Sequence, residues 1–399
     1  MFFAHLADCH LGGWRDPILR ELNHRAFETA IARCISEKVD FILMAGDLFN
    51  TAVPSIDSIR IAFEQLRKLK EAGIPFYFIA GSHDCSPTGR SILDVVESAG
   101  LGVNVSRGEA TADGMLRLLP VVDPKTSVML SGLLGKKGGL ERHYYEALDR
   151  ASLETLQGPK IFVFHGSISE LKPEELEEMD AFGISLLPRG FDYYAGGHIH
   201  IVKQQSFPGY LNVVYPGPVF PNNFAELEKL EAGSFCLVRD WVPEQVRIQL
   251  AQVIGVVVDV DGKSAPEAEV LVRAALPRDA AGAIVLLRVQ GCLRDGTPAD
   301  IHFKELLAGI KDPLIILKNT ASLTSKEFQE IDIGKGTLDE IEERLAREHA
   351  GKSGLFSADS ELALTKELMR VLSADKKDGE KVADFEKRVE AEAAGLLSP

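Results

Sequence analysis

The sequence predicts an α/β fold, a β-sandwich flanked by helices, followed by a small α+β unit and a C-terminal helical tail. Three observations carry that prediction. Over the first 240 residues, short continuous apolar runs alternate with segments of helical period, the pattern of helices covering a sheet. Near Val238 to Glu244 the texture changes: Trp241, Val242 and Pro243 interrupt, and long β-branched runs follow. After Gly334-Lys335-Gly336 it changes again, to charged, helix-favouring segments. The implied units are 1–240, 241–335 and 336–399.

In order, Phe2 to Ala7, Phe41 to Ala45, Phe76 to Ala80 and Ile161 to Phe164 read as buried strands, being short, apolar and bounded by turn residues; Asp192 to Ala195 is a fifth run. Ile18 to Lys38 reads as a helix. Ser55 to Ala72 does too, with Ser55 as N-cap, Gly73 as stop, and Ile56, Ile59, Phe63 and Leu66 on one face. In the second unit Val246 to Val260 reads as extended, Pro266 to Ala275 as helix, Ala283 to Val289 as strand, Ile301 to Ile310 as helix and Leu314 to Leu317 as strand. The tail offers Leu338 to His349, then Glu361 to Leu397 broken near Asp375 to Gly379. Its stripe of Leu362, Leu364, Leu368, Val371 and Leu372, then Val382, Phe385 and Val389, makes a helical hairpin that either packs on its own chain or meets a partner.

A length of 399 residues asks for two or three units, and 45% hydrophobic with 26% charged residues suffices for a sizeable core. No stretch approaches the ~20 unbroken apolar residues of a membrane span. The apolar start Met1 to Ala4 meets Asp8 and His10 too soon for a secretory signal, so the expected location is the cytoplasm, nucleoid-associated or free. Cys9, Cys34, Cys85, Cys236 and Cys292 are odd in number and hold no Cys-x-x-Cys pair, which favours reduced thiols over a disulfide framework or a zinc ribbon. The net charge of −15 opposes polyanions at long range, although it describes no single face.

Chemistry gathers at the strand ends. Asp8-Cys9-His10 follows the first run, and extended backbone would point Asp8 and His10 to the same side. The second run ends in Gly46-Asp47, the third in Gly81-Ser82-His83-Asp84, the fourth at His165, and the fifth in Gly196-Gly197-His198-Ile199-His200, where His198 and His200 would again share a face. Five of the ten histidines fall at these ends, where α/β sheets build their sites. With Asp8 and Asp47 they form the donor set of a dinuclear metal site for hard to borderline ions such as Mn, Fe or Zn, with Asp47 as the natural bridge.

The strings "HLADCHLG", "AGDLFN", "GSHD" and "GGHIH" resemble the calcineurin-like metallophosphoesterase superfamily, and within it the SbcD/Mre-eleven branch of DNA double-strand-break repair nucleases, over the first ~220 residues. The resemblance implies a metallophosphoesterase fold over 1–240, a capping domain over 241–335 and C-terminal helices that bind an SbcC/Rad-fifty-type coiled-coil ATPase. It implies that Asp8, His10, Asp47 and His200 hold one ion, that Asp47, Ser82, His165 and His198 hold the other, and that His83 assists departure of the leaving oxygen. Two divalent cations, Mn2+ foremost, are the implied cofactors, DNA the implied substrate and a homodimer through the helices Ser55 to Ala72 and Gly89 to Gly100 the implied assembly, with no membrane. Two departures stand out. Ser82 occupies a corner where the family usually has asparagine and offers only a neutral hydroxyl, and Asn50 stands where some members carry a histidine.

Other residues have both a functional and an ordinary reading. Trp14 and Arg15 either touch DNA or pack; the basic loop of Lys136, Lys137 and Arg142, with Gly135, Gly138 and Gly139, either meets phosphate or is a solvated turn. His5, His24, His143, His302 and His349 read as structural or exposed, and Cys85 as an adjacent thiol, not a ligand. The leading function is a metal-dependent nuclease subunit, exonucleolytic on duplex ends and endonucleolytic on single strands or hairpins. The alternatives are a phosphomonoesterase or small-molecule phosphodiesterase of the same fold, or a DNA-end scaffold with a weakened site. No G-x-x-x-x-G-K-[ST] string occurs, so an ATP-driven step needs a second protein.

Overall fold

A computed structural model describes residues 1–86, 91–136, 141–173, 179–326, 358–374, 376 and 382–397, in two compact units, Met1–Leu323 and Thr324–Pro399. The predicted helix Leu338 to His349, the start of the Gly89 to Gly100 helix, and Lys137, Gly138 and Gly139 lie outside the described residues.

The first unit opens with β1 (Phe2–Leu6), α1 (Pro17–Glu37), β2 (Phe41–Ala45), α2 (Ile56–Glu71), β3 (Phe76–Ile79), α3 (Ile92–Ser98) and β4 (Val103–Asn104), the four strands running parallel. Asp16 starts α1 by accepting from the Ile18 and Leu19 N–H groups, ahead of Pro17. Ser55 starts α2 by accepting from the Ser58 N–H. The inward face of α2 is Ser58, Ile61, Ala62, Gln65, Leu66 and Leu69. Of the expected stripe only Leu66 is fully buried; Ile59 and Phe63 sit at the rim and Ile56 is 83% exposed, because the small residues Ser58 and Ala62 take the side of closest approach.

After a separate hairpin of β5 (Gly108–Ala110) and β6 (Leu116–Leu118) come β7 (Val121–Val122), β8 (Met129–Leu133), α4 (Arg142–Glu146), α5 (Arg150–Glu154), β9 (Lys160–His165), β10 (Tyr193–Gly197), β11 (Val202–Phe207) and β12 (Tyr210–Pro216). Then α6 (Phe224–Leu230) leads to β13 (Gly233–Arg239) and β14 (Val242–Ile248). One sheet runs β14-β13-β1-β2-β3-β4 and the other β11-β12-β10-β9-β8-β7. The change of texture at Val238 to Glu244 falls on the β13–β14 turn, where Asp240 and Trp241 have φ of 48° and 69°, the twist a two-residue hairpin loop needs.

Strand alternation builds the sandwich. Phe3, Phe41, Leu43, Tyr77 and Ile79 of one sheet meet Leu130, Ile161, Val163, Tyr193 and Val214 of the other. The alternate residues Ala4, Leu6, Ile42, Met44 and Phe78 pack outward with residues of α1 and α2. His5 lies wholly buried in the inner layer, its Nδ1 3.0 Å from the Tyr193 hydroxyl of the opposite sheet.

The unit ends in β15 (Val253–Asp259), α7 (Ala265–Ala275), β16 (Ile284–Leu293), α8 (Phe303–Ala308) and β17 (Ile315–Asn319), a parallel sheet centred on β16. The extended run expected over Val246 to Val260 is therefore two strands in two different sheets, parted at 249–252. In the second unit α9 (Ala358–Leu372) and α10 (Val382–Leu397) pack on one another. No helix among the described residues is long and apolar enough to cross a membrane.

Candidate metal centre

Five strand ends supply the site. Asp8 and His10 follow β1, Asp47 follows β2, Ser82 and His83 follow β3, His165 ends β9, and His198 and His200 follow β10. Because β1, β2 and β3 are parallel neighbours, as are β9 and β10 in the facing sheet, their carboxyl ends share one edge of the sandwich. The first two loops are zipped together: the Asp8 N–H donates to Gly46 O at 3.1 Å, the His10 N–H to Asp47 O at 2.9 Å and the Leu11 N–H to Leu48 O at 3.0 Å.

Asp8 and His10 converge, but not by strand alternation. Their φ angles are 51° and 43°, so left-handed turns, not an extended backbone, aim both side chains inward. Asp47 and His198 are left-handed too, at 56° and 94°. His198 and His200 both line the cleft, each against a different neighbour: the ring of His198 lies 5.0 Å from that of His165, the ring of His200 4.9 Å from that of His10. Such backbone strain persists only where the surrounding structure holds it.

Among the described residues, donor atoms within 4.8 Å of one another form three overlapping sets: Asp8, His10 and His200; His10, Asp47 and His83; Asp8, Asp47 and His165. His10 Nε2 is 3.0 Å from His200 Nε2 and 3.6 Å from Asp47 Oδ2, and His165 Nε2 is 3.3 Å from the same Asp47 oxygen. His198 meets the cluster through its backbone as well, its N–H donating to both Asp8 oxygens at 3.0 and 3.1 Å. The Ser82 hydroxyl donates to Asp47 Oδ2 at 3.4 Å. His83 donates its backbone N–H to Asp47 Oδ1 at 2.7 Å and sets its Nδ1 2.8 Å from Asn50 O. A cleft of about 670 Å³ exposes His10, Asp47, Ser82, His83, His198 and His200, with Asp8 and His165 buried behind them.

The electrostatics split like groups apart. Burial raises Asp8 to about 6 although His200 and His165 oppose it. Burial would raise Asp47 too, but His165, His10 and His83 hold it well below the usual carboxylate range. Burial lowers His10 and His198 to about 3. Against burial, Asp47 and then Asp8 lift His165 to about 10, and Glu226 and then Asp8 lift His200 to about 9.

This donor set fits divalent cations. His10 Nδ1 and His165 Nε2 are buried without hydrogen-bond partners, and the Nε2 atoms of His10 and His200 face each other beside two buried carboxylates, an arrangement that positive charge between them stabilises. Thiolate plays no part: Cys9 lies against Met44, and burial with the Asp84 charge pushes Cys85 up to about 11. All five cysteines are free.

Four supporting residues stand beside the expected ligands, and two of them, Glu226 and Asn222, go beyond those the sequence singles out. Asp84 is wholly buried and accepts from the Gly81, Phe49 and Leu48 N–H groups at 2.9, 2.9 and 3.3 Å, pinning the β2 and β3 loops together. Gly81 makes that approach possible, since a Cβ there would strike the Asp47 backbone and carboxylate. Glu226 lies 2.9 Å from His200 Nδ1, and Asn222 donates to Asn50 Oδ1 at 3.4 Å. Asp84 at least sits inside the Gly81-to-Asp84 motif. Asn223-x-x-Glu226, in contrast, looks only like the N-cap it also is.

The remaining candidates make ordinary contacts. Trp14 packs, donating its indole N–H to Pro221 O at 2.9 Å, and Arg15 is exposed. Lys136 bonds the Tyr144 hydroxyl at 2.6 Å. His24 is buried against Ser58, whereas His143 and His302 are exposed.

Comparison with known proteins agrees with this geometry. The calcineurin-like phosphoesterase model matches residues 1–202. The protein named DNA double-strand break repair protein Mre11 in Archaeoglobus fulgidus is 27% identical over 98% of this chain and 94% of its own length. Proteins of the same name in Methanococcus maripaludis and Methanopyrus kandleri are 30% and 27% identical over 50% and 57% of this chain, which spans about half of their lengths (52% and 51%). A match over half the chain, together with paired sheets whose strand ends gather aspartates and histidines, makes this chain a member of the calcineurin-like phosphoesterase family, a metallophosphoesterase similar to Mre11 proteins.

Proposed function

We propose that this chain is the dinuclear-metal nuclease subunit of a DNA double-strand-break repair complex. The observation that carries the reading is the pairing of the Asp8, His10, Asp47, His165 and His200 donor sets with His83 at the same cleft. Asp8, His10, Asp47 and His200 would hold one ion, and Asp47, Ser82, His165 and His198 the other. When bound, two divalent cations, Mn2+ foremost, supply Lewis acidity that polarises a phosphodiester and sharpens a water as nucleophile. The protein's own residues do the rest. Asn50 O can only accept, so His83 Nδ1 carries the proton of that bond and Nε2 faces the reaction. With both ring nitrogens protonated, His83 gives its Nε2 proton to the sugar oxygen as the bond from that oxygen to phosphorus breaks and the water oxygen bonds to phosphorus, and the proton the water releases recharges the imidazole.

Substrate and partners rest on further support. The cleft continues past His200 into a second opening of about 490 Å³ whose lining includes Lys172, Lys203 and Lys229 beside Glu170, more basic than acidic side chains in a chain of net −15, a balance that suits a strand of phosphates. Exposed Val53 and Ile56, at 86% and 83%, suit pairing of two copies through the α2 region. We assign the α9–α10 pair to an SbcC/Rad-fifty-type ATPase, residues 1–240 and 241–335 to nuclease and capping domains, and the site of action to the cytoplasm, free or nucleoid-associated.

The test is digestion of a 5′-labelled duplex, a single strand and a hairpin with Mn2+, Mg2+ or chelator, beside hydrolysis of p-nitrophenyl phosphate. Cutting with Mn2+ that disappears in chelator and in Asp47→Asn is expected. Efficient monoester hydrolysis without DNA cleavage would move the assignment to a phosphomonoesterase.

A further inference from the structure

We infer that Glu226 is a positioning residue for both sides of the site, one carboxylate that fixes His200 and, through Asn222 and Asn50, the loop that orients His83. The inference rests on the hydrolytic reading proposed above. Glu226 Oε1 lies 2.9 Å from His200 Nδ1. An ionised carboxylate only accepts, so Nδ1 carries the proton and Nε2 is turned toward His10 Nε2, 3.0 Å away, and Asp8 Oδ1, 3.8 Å away. Glu226 Oε2 accepts from the Asn222 N–H at 2.7 Å. The Asn222 amide donates to Asn50 Oδ1 at 3.4 Å, and Asn50 O accepts from His83 Nδ1 at 2.8 Å. These hydrogen bonds, joined through the covalent frames of Asn222 and Asn50, link His200 to His83.

Glu226 cannot readily swing out of that line. Two residues further along α6, Glu228 takes Arg288 of β16 in a two-pronged pair, Nε to Oε1 at 3.0 Å and Nη2 to Oε2 at 2.6 Å, with the guanidinium 5.2 Å from the Phe224 ring. Asn222 is confined as well, since a Cβ on Gly13 would collide with its Oδ1. The helix is therefore clamped from the β16 side while Glu226 and Asn222 reach into the site.

The test uses the full chain stripped of metal by chelator. Mn2+ binding is measured by calorimetry, and kcat and KM on bis(p-nitrophenyl) phosphate at saturating Mn2+, for the natural chain, Glu226→Ala and Glu226→Gln. A carboxylate that orients a ligand histidine from behind is worth about 10- to 100-fold in metal affinity or activity. We expect Glu226→Ala to weaken Mn2+ binding by that much and, with the metal saturated, to keep KM but lose kcat on the order of tenfold because His83 is no longer held. Glu226→Gln, which preserves volume and one acceptor, recovers part of both and carries the test if the alanine variant fails to fold. Unchanged Mn2+ affinity, or full recovery of kcat at saturating Mn2+, overturns the inference. A natural chain that hydrolyses no diester while Glu226→Ala still binds Mn2+ more weakly overturns the hydrolytic reading and the His83 half, and leaves the His200 half standing.

Discussion

His5 and His165 sit in the same sandwich, His5 on β1 in one sheet and His165 at the end of β9 in the other, and both are buried to within 1%. His5 meets a phenol, its ring edge-on to Tyr193 with centroids 5.7 Å apart, and burial pushes it down to about 3. His165 meets carboxylates, Asp47 at 3.3 Å and Asp8 at 4.0 Å, and is lifted to about 10 in spite of burial. Each has a buried Nε2 without a hydrogen bond, so burial and an unmet nitrogen do not by themselves mark a site. The difference is convergence of charge: His5 meets neutral groups, the Tyr193 hydroxyl and the Gly196 backbone, whereas His165 faces acids that other histidines face too.

Substitutions on the two sides should therefore fail in different ways. The largest effect is expected for His83→Ala: a loss of about 10²- to 10⁴-fold in kcat with Mn2+ affinity nearly intact, read by steady-state hydrolysis beside calorimetry. A drop in metal affinity of the same size would make His83 a ligand. For His5 the effect is on stability. Its folded pKa, about 3, lies below the ordinary 6.5, so the stability it permits is complete above pH 6.5 and is lost as pH falls toward 3. Between pH 6.5 and pH 5 that is about 2 kcal/mol at ~1.4 kcal/mol per unit, and denaturant melts of His5→Gln should show the shallower pH slope. An unchanged slope would mean that His5 is accommodated when charged.

Smaller effects come from the rim. Lys203→Glu or Lys229→Glu should flatten the salt dependence of DNA binding by roughly one unit of slope for each phosphate no longer neutralised, with hydrolysis of a small diester unchanged. Equal declines on both substrates would put those lysines in the chemistry. Smallest is Ser82→Asn, which replaces a hydroxyl by an amide oxygen and should tighten Mn2+ binding severalfold; weaker binding would show that Ser82 serves by its bond to Asp47.

Much of this is legible in the chain. The five apolar runs are β1, β2, β3, β9 and β10 because each is short, buried on both faces and followed by a turn. The strand β11, Val202-Lys203-Gln204-Gln205-Ser206-Phe207, is not legible, since an edge strand exposed along most of its length carries no apolar signal. Residue identities at the site are visible, but their aim is not: a backbone at φ 51° and 43° looks, in letters, like any strand end. Glu226 is hidden for another reason, its bond to His200 spanning 26 positions with no periodic pattern to announce it.

The left-handed backbone at Asp8, His10, Asp47 and His198 also changes how truncation experiments there must be interpreted. Alanine is ordinarily the gentler replacement and glycine the harsher. With His198 at φ 94° the ranking inverts, because alanine keeps a Cβ where the chain resents one, at about 1–2 kcal/mol, while glycine releases it. An alanine variant at these positions keeps the conformational strain the native residue also carried and so reports the missing imidazole or carboxylate, whereas a glycine variant loses the group and the strain together. Only the two variants side by side separate group from strain, and a glycine protein that melts higher than its alanine twin while remaining inert would measure directly what durability the chain forgoes to hold this chemistry in place.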